Sequence, residues 1–152
     1  MNIFVYGTLL SKMRANDILL EHGAKMIAND KINAKMFTSN FSYPFITLDP
    51  AHVVIGEVYE INDKCLRSLD SYEGFDPRGS NALFLRSEVT TLEGGYSVIV
   101  YHAGPKIIER MAAELPFHIE SGDWRSFVND PRMNDVAIDY FDKISKLRRR
   151  TR

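Results

Sequence analysis

Two short stretches of this sequence carry residues able to do chemistry together. One is Leu69-Asp70-Ser71-Tyr72-Glu73-Gly74-Phe75, at the end of a helix expected to run through Glu73, on which Leu66, Leu69 and Glu73 fall on one stripe at i, i+3 and i+7, with Cys65 and Tyr72 alongside. Glu73 therefore points where apolar side chains point, at a helix C-terminus whose dipole opposes negative charge. Both effects favour the neutral acid, so a raised pKa is expected, suited to moving a proton near neutrality. The same side chain could instead curl outwards or pair with Arg67 or Arg86, and periodicity alone does not separate these. The second stretch, Tyr6-Gly7-Thr8-Leu9-Leu10, follows a strand and precedes a helix. Such a turn can aim several backbone N–H groups at one point, where a carboxylate would bind. A purely structural turn has the same spacing.

Other arrangements carry less. The loop is too short for a Walker phosphate site and lacks the Gly-Lys-Ser/Thr ending. Glu57, in Gly56-Glu57-Val58-Tyr59, is a competing acid that could face a cavity with Ile55 and Tyr59, or face solvent; it ranks below Glu73 because no helix dipole opposes it. His22, His52, His102 and His118 show no metal-ligand spacing, and none adjoins Cys65 in a nucleophile pattern. They read as ordinary surface or loop histidines, and Cys65 as an inert core residue. No metal or cofactor is expected, so an enzyme built from these residues would rely on positioning and one proton shuttle.

The elements that must hold these groups follow from hydrophobic period. Asn2 to Tyr6 reads as a strand, and Met13, Ile18, Leu19 and Leu20 as a helix ending near Gly23. Residues 24–37 and 53–61 read as strands joined by a long loop broken at Tyr43-Pro44 and Asp49-Pro50. Asn62 or Asp63 can cap a helix through Glu73 that Gly74 stops. Strands at 83–92 and 96–102 flank Glu93-Gly94-Gly95 as a hairpin, and residues 106–114 read as a helix. After an interruption at Gly122-Asp123-Trp124, the apolar residues Ala137, Tyr140, Phe141, Ile144 and Leu147 share a helical face expected to pack on the sheet.

With 152 residues, 45% of them hydrophobic, one domain spanning 1–152 is expected, its sheet in about 1–104 and a helical extension in about 105–152. No apolar run approaches the roughly 20 residues that cross a bilayer, and the start lacks the pattern of a secretory signal. With a lone cysteine, the cytoplasm is the expected compartment. The net charge of -1 hides an acidic body and a basic end, since Lys143, Lys146, Arg148, Arg149, Arg150 and Arg152 crowd the last ten residues. Such an end could touch nucleic acid or an acidic partner, but a solvated helix terminus explains it without a ligand, and the acidic body would repel nucleic acid.

Tyr6-Gly7-Thr8-Leu9, Tyr43-Pro44, Gly56-Glu57-Val58-Tyr59, Leu69-Asp70-Ser71-Tyr72-Glu73-Gly74 and Arg86, in this order and spacing, resemble the γ-glutamylcyclotransferase-like family. The resemblance covers about residues 2–104, and Ser121-Gly122-Asp123-Trp124 is similar to a segment that follows the barrel in some bacterial-type members. It implies an α+β fold, a small mixed β-barrel with flanking helices. It also implies a cofactor-free reaction in which a γ-glutamyl amide cyclises to 5-oxoproline and releases its amine. By the same resemblance Glu73 is the catalytic acid and base, and Tyr6, Gly7, Thr8 and Leu9 form the loop that holds the glutamyl group. One departure is Phe84, two residues before Arg86, where many members carry tyrosine. The expected partner is a small γ-glutamyl molecule; the competing expectation is a non-catalytic module that uses the same pocket, or the basic tail, only to bind.

Overall fold

The computed structural model describes residues 1–78 and 82–150. Strand β1 (Asn2–Val5) has Ile3, Phe4 and Val5 all buried, as suits a strand covered on both faces. It belongs to a sheet of six strands in the order β4-β5-β1-β3-β2-β6, which curls into a half-barrel. β2 (Lys25–Thr38) and β3 (Phe45–Glu60) form a long antiparallel pair, and β3 also pairs antiparallel with β1. β4 (Phe84–Thr90) and β5 (Ser97–Ala103) form the second hairpin, and β5 joins β1 in parallel at Ile3 and Ile99, so the sheet is mixed. The short β6 (Phe117–His118) extends the far edge against β2.

The long loop expected between β2 and β3 is shorter than the prolines suggest. Only residues 39–44 connect the strands, while Asp49-Pro50 lies inside β3. The register passes from Asn33↔Val53 to Ala34↔Leu48, so residues 49–52 bulge out of the ladder, and a bulge is where a strand tolerates proline. The Asp49 carboxylate accepts the Ala51 N–H there, and Asn33 donates to the carbonyls of Pro50 and His52.

The helices punctuate this sheet. α1 (Asp17–Glu21) ends at Gly23, whose φ of +70° suits glycine. α2 (Asp63–Glu73) begins where the Asn62 side chain accepts the Cys65 N–H at 2.8 Å and stops at left-handed Gly74. It buries Cys65 and Leu69 against the sheet; burial also pushes the Cys65 thiol up, which keeps it inert. α3 (Pro105–Glu114) follows β5, and α4 (Trp124–Asn129) is capped by Asp123, which accepts the Ser126 N–H.

The last helix, α5 (Met133–Arg150), departs from expectation. Its apolar stripe packs on Phe41 of the β2–β3 loop, on Phe117 and on α4 rather than on the body of the sheet. The Tyr140 hydroxyl donates to the carbonyls of Glu114 and Leu115, tying α5 to the end of α3, while Ile138, Phe141 and Leu147 stay largely exposed. Lys143 and Lys146 pair with Asp139 and Asp142 one turn earlier. Of the other basic residues, Arg152 and the Arg150 side chain lie outside the described residues. No helix is long and apolar enough to cross a membrane, among the described residues.

Candidate active site

A cavity of about 260 Å³ opens where the end of β1, the loop after it and the end of α2 converge. Tyr6, Gly7, Thr8 and Leu9 form one wall and Glu73 faces them, so both stretches singled out in the sequence border one space. Phe4, Leu83 and Phe84 make much of the remainder apolar. Phe84 is buried and presents a plain ring, so this part of the wall has no hydroxyl.

Glu73 is partly buried, and among the described residues nothing pairs with its carboxyl. Arg86, one of its conceivable partners, is engaged elsewhere: it donates to both oxygens of Asp70 at 2.8 and 2.6 Å and lies over the Phe75 ring. Desolvation pushes the Glu73 pKa up to about 7. Its charge in turn acts on its neighbours. Burial and then Glu73 hold the Tyr6 hydroxyl well above the ordinary phenol value, so it remains a neutral donor, bonded to the Tyr101 carbonyl at 2.7 Å.

The wall opposite is a set of donors. Leu10 N–H returns to the Gly7 carbonyl and Ala15 N–H to that of Thr8, which folds the loop back on itself. Among the described residues no acceptor takes the N–H groups of Gly7, Thr8 and Leu9. A Cβ at Gly7 would lie 2.6 Å from Cγ of Pro44, so only glycine lets the loop pass beneath the Tyr43-Pro44 turn. The two walls are joined by a hydrogen bond of 2.8 Å between the Thr8 and Tyr72 hydroxyls.

Behind Glu73 the helix end is anchored through Asp70, which also accepts the Tyr101 hydroxyl at 2.6 Å. Asp70, Tyr101 and Arg86 thus fix the last turn of α2 to β4 and β5. Charge-assisted bonds of this kind hold geometry better than neutral ones.

Glu57 does not border the cavity. It is 2% exposed, and its oxygens accept the Ser11 N–H and hydroxyl at 2.7 Å each and the Arg125 guanidinium at 3.2 Å. Burial alone would raise its pKa, but the Ser11 and Arg125 bonds outweigh it and hold the carboxyl below its usual value. At neutral pH it is an anion that pins the loop to β3, with Tyr59 also donating to it. Arg125 reaches it because Gly122 docks on β3: Ile55 N–H bonds the Gly122 carbonyl, and a Cβ at Gly122 would lie 2.1 Å from the Val53 carbonyl oxygen. The segment Ser121 to Trp124 therefore serves to deliver an arginine.

Several lining residues escape sequence reasoning. Arg14, exposed at the opening, is the cavity's positive side chain among the described lining residues, and nothing in its local spacing marks it. Tyr101 arrives through the pairing of distant strands, whereas Tyr43, of the Tyr43-Pro44 stretch, borders the cavity from the β2–β3 loop. The histidines do not gather: His22 bonds Ser68, His102 bonds Ser87, and His52 stacks edge-on with His118. Among the described residues, no three His, Cys, Asp or Glu could hold a metal ion.

The family model described as gamma-glutamyl cyclotransferase, AIG2-like, matches residues 3–126. A Halalkalibacterium halodurans protein provisionally named a gamma-glutamylcyclotransferase is 31% identical over 101 residues, covering 66% of this chain and 86% of that protein. Among solved structures, an AIG2-like protein of Mus musculus superposes with a TM-score of 0.57 at 22% identity, covering 70% of this chain and 81% of its own. The Escherichia coli protein ytfP gives 0.57 at 26% identity, with 82% and 96% covered. A protein specific to uropathogenic E. coli gives 0.65 at 17% identity, with 85% and 95% covered. The structural likenesses speak to the fold.

Proposed function

The chain belongs to the AIG2-like gamma-glutamyl cyclotransferase family, and from that premise we propose that it cyclises a γ-glutamyl amide to 5-oxoproline and releases the free amine. The observation that carries this reading is the pairing across one cavity of a carboxyl with pKa about 7 and a loop of N–H groups, neither of which has a partner among the described residues.

The substrate's α-carboxylate sits against the N–H groups of Gly7, Thr8 and Leu9, with Arg14 adding a positive charge at the opening. This directs the α-ammonium and the side-chain amide towards Glu73. As a carboxylate Glu73 takes one proton from the ammonium, and the freed lone pair attacks the side-chain carbonyl carbon to close a five-membered ring. Glu73 hands that proton to the leaving nitrogen, takes the second from the ring nitrogen as the old C–N bond breaks, and passes it to the freed amine, becoming a carboxylate again. Two of the three ammonium protons end on the amine, and one stays on the ring. No enzyme nucleophile is needed, because holding the reacting atoms together can supply up to about 7–11 kcal/mol. A carboxyl with pKa near the working pH serves equally as base and as acid.

Incubation with γ-glutamyl dipeptides, γ-glutamyl-ε-lysine and γ-glutamyl-ethylamide should give 5-oxoproline from at least one, detected by chromatography. kcat/KM should rise with pH through about 7, as Glu73 loses its proton. Glu73→Gln, folded but unable to move a proton, should lose activity by about 100-fold or more. Calorimetric binding of these compounds without product would overturn the reading in favour of a binding module, and full turnover by Glu73→Gln would remove Glu73 from the mechanism.

A further inference from the structure

Beside the cavity lies a second, wider hollow of about 600 Å³ between the β2–β3 loop, α3 and α5. Tyr43 borders both, so the two spaces are neighbours separated by one side chain. Their characters differ. Among the described residues the inner cavity is lined by the cation Arg14 and the acid Glu73, whereas the outer hollow is lined by Arg110, Arg148 and Arg149 against Glu114. The termini of α3 and α5 add about half a negative charge each, which leaves the hollow net positive. Arg149 donates to Ser145 through one terminal nitrogen, and Ser39 and Asn40 supply neutral polar groups on the opposite side.

The inner volume of about 260 Å³ suits a glutamyl group with a small appendage, so a larger leaving group extends outside it, and the hollow that shares Tyr43 with the cavity is next to it. On the cyclotransferase reading, we propose that the amine released is an acid: a peptide whose terminal carboxylate reaches the hollow and is held by Arg110 and Arg149. Guanidinium groups suit carboxylates because their planar fork can donate two parallel bonds. The arginines are exposed, so their pull is screened by salt, with a reach of about 10 Å at 0.1 M. They act on binding, at a distance from the bonds that change.

The test compares γ-glutamyl-alanyl-glycine with its C-terminal amide, two substrates that differ only in the remote charge, alongside γ-glutamyl-ethylamide. At low salt the acid should show about tenfold higher kcat/KM than the amide, through a lower KM with similar kcat. Raising salt to about 0.5 M should shrink that ratio, since the screening length falls with ionic strength. In the double variant Arg110→Gln, Arg149→Gln, with its fold checked by circular dichroism, the ratio should fall towards one. Equal kcat/KM for acid and amide in the unaltered protein, or a ratio that survives the double substitution, would overturn the inference. If ethylamide is cyclised and the acid has no advantage, this inference alone fails. If no compound yields 5-oxoproline, the cyclotransferase reading fails and the inference falls with it.

Discussion

Glu73 and Glu57 are two acids given opposite treatment. Glu57 is surrounded by donors and kept ionised, whereas Glu73 is partly desolvated and has no partner among the described residues. The Glu73 arrangement carries a stability cost whose sign can be worked out. Its folded pKa of about 7 lies above the ordinary value of 4.5, so between those limits the unfolded chain releases a proton that the folded one keeps. Stability should therefore fall as pH rises from about 4.5 to about 7 and stay level above. The full penalty is about 3 kcal/mol by the shift, and less after allowing for the partial exposure of the group. Glu73→Gln should accordingly raise the melting temperature at pH 8 by several degrees and change it little at pH 4.5, even as it removes activity. Thermal denaturation at the two pH values checks this, and an equal effect at both would show that Glu73 is not desolvated.

At the scale of elements, the site depends on how closely the loop after β1 approaches the Tyr43-Pro44 turn. Gly7→Ala would place a methyl group 2.6 Å from a proline ring that cannot swing aside, so the loop must move. Steady-state kinetics and urea unfolding should show kcat/KM lowered about tenfold or more and stability lowered by about 2 kcal/mol. Both sides of the cavity were legible beforehand because their signals are local. Asn62 and Gly74 bound α2 through their own cap geometry, and the spacing from Leu66 to Glu73 sets the direction of the carboxyl. The bulge at Asp49-Pro50 was not legible, because a proline reads as a break unless the partner strand is known to continue past it. For the same reason β6 and α4 escaped: two residues make a strand only where β2 offers an edge, and α4 starts only once Gly122 has docked on β3. Periodicity leaves the partner of Arg86 open, since the register that brings Asp70 to it is set by β4 and β5.

Across the whole molecule, the helical C-terminal third is tied into the site in two ways, by Arg125 reaching Glu57 and by α5 closing one side of the arginine-lined hollow. The basic end reads differently once folded: Lys143 and Lys146 are paired along α5, while Arg148 and Arg149 turn towards the hollow. The Arg125 contact makes that third more than an appendage. Arg125→Ala should destabilise the protein by about 2 kcal/mol at pH 7, a figure below the usual range for a buried pair because Arg125 is 39% exposed. In the unaltered protein the depressed pKa of Glu57 contributes stability above the unfolded value, and that contribution fades as pH falls through the folded value. The gap between the two proteins should therefore be widest near neutrality and close in acid, which denaturant melts at pH 7 and pH 3.5 would reveal. A shortened chain ending at residue 104 would strand the same carboxylate without its guanidinium. Anyone trimming the molecule to its sheet should expect the loss of that partner to weigh most where the carboxylate is charged, at neutral pH, and least in acid.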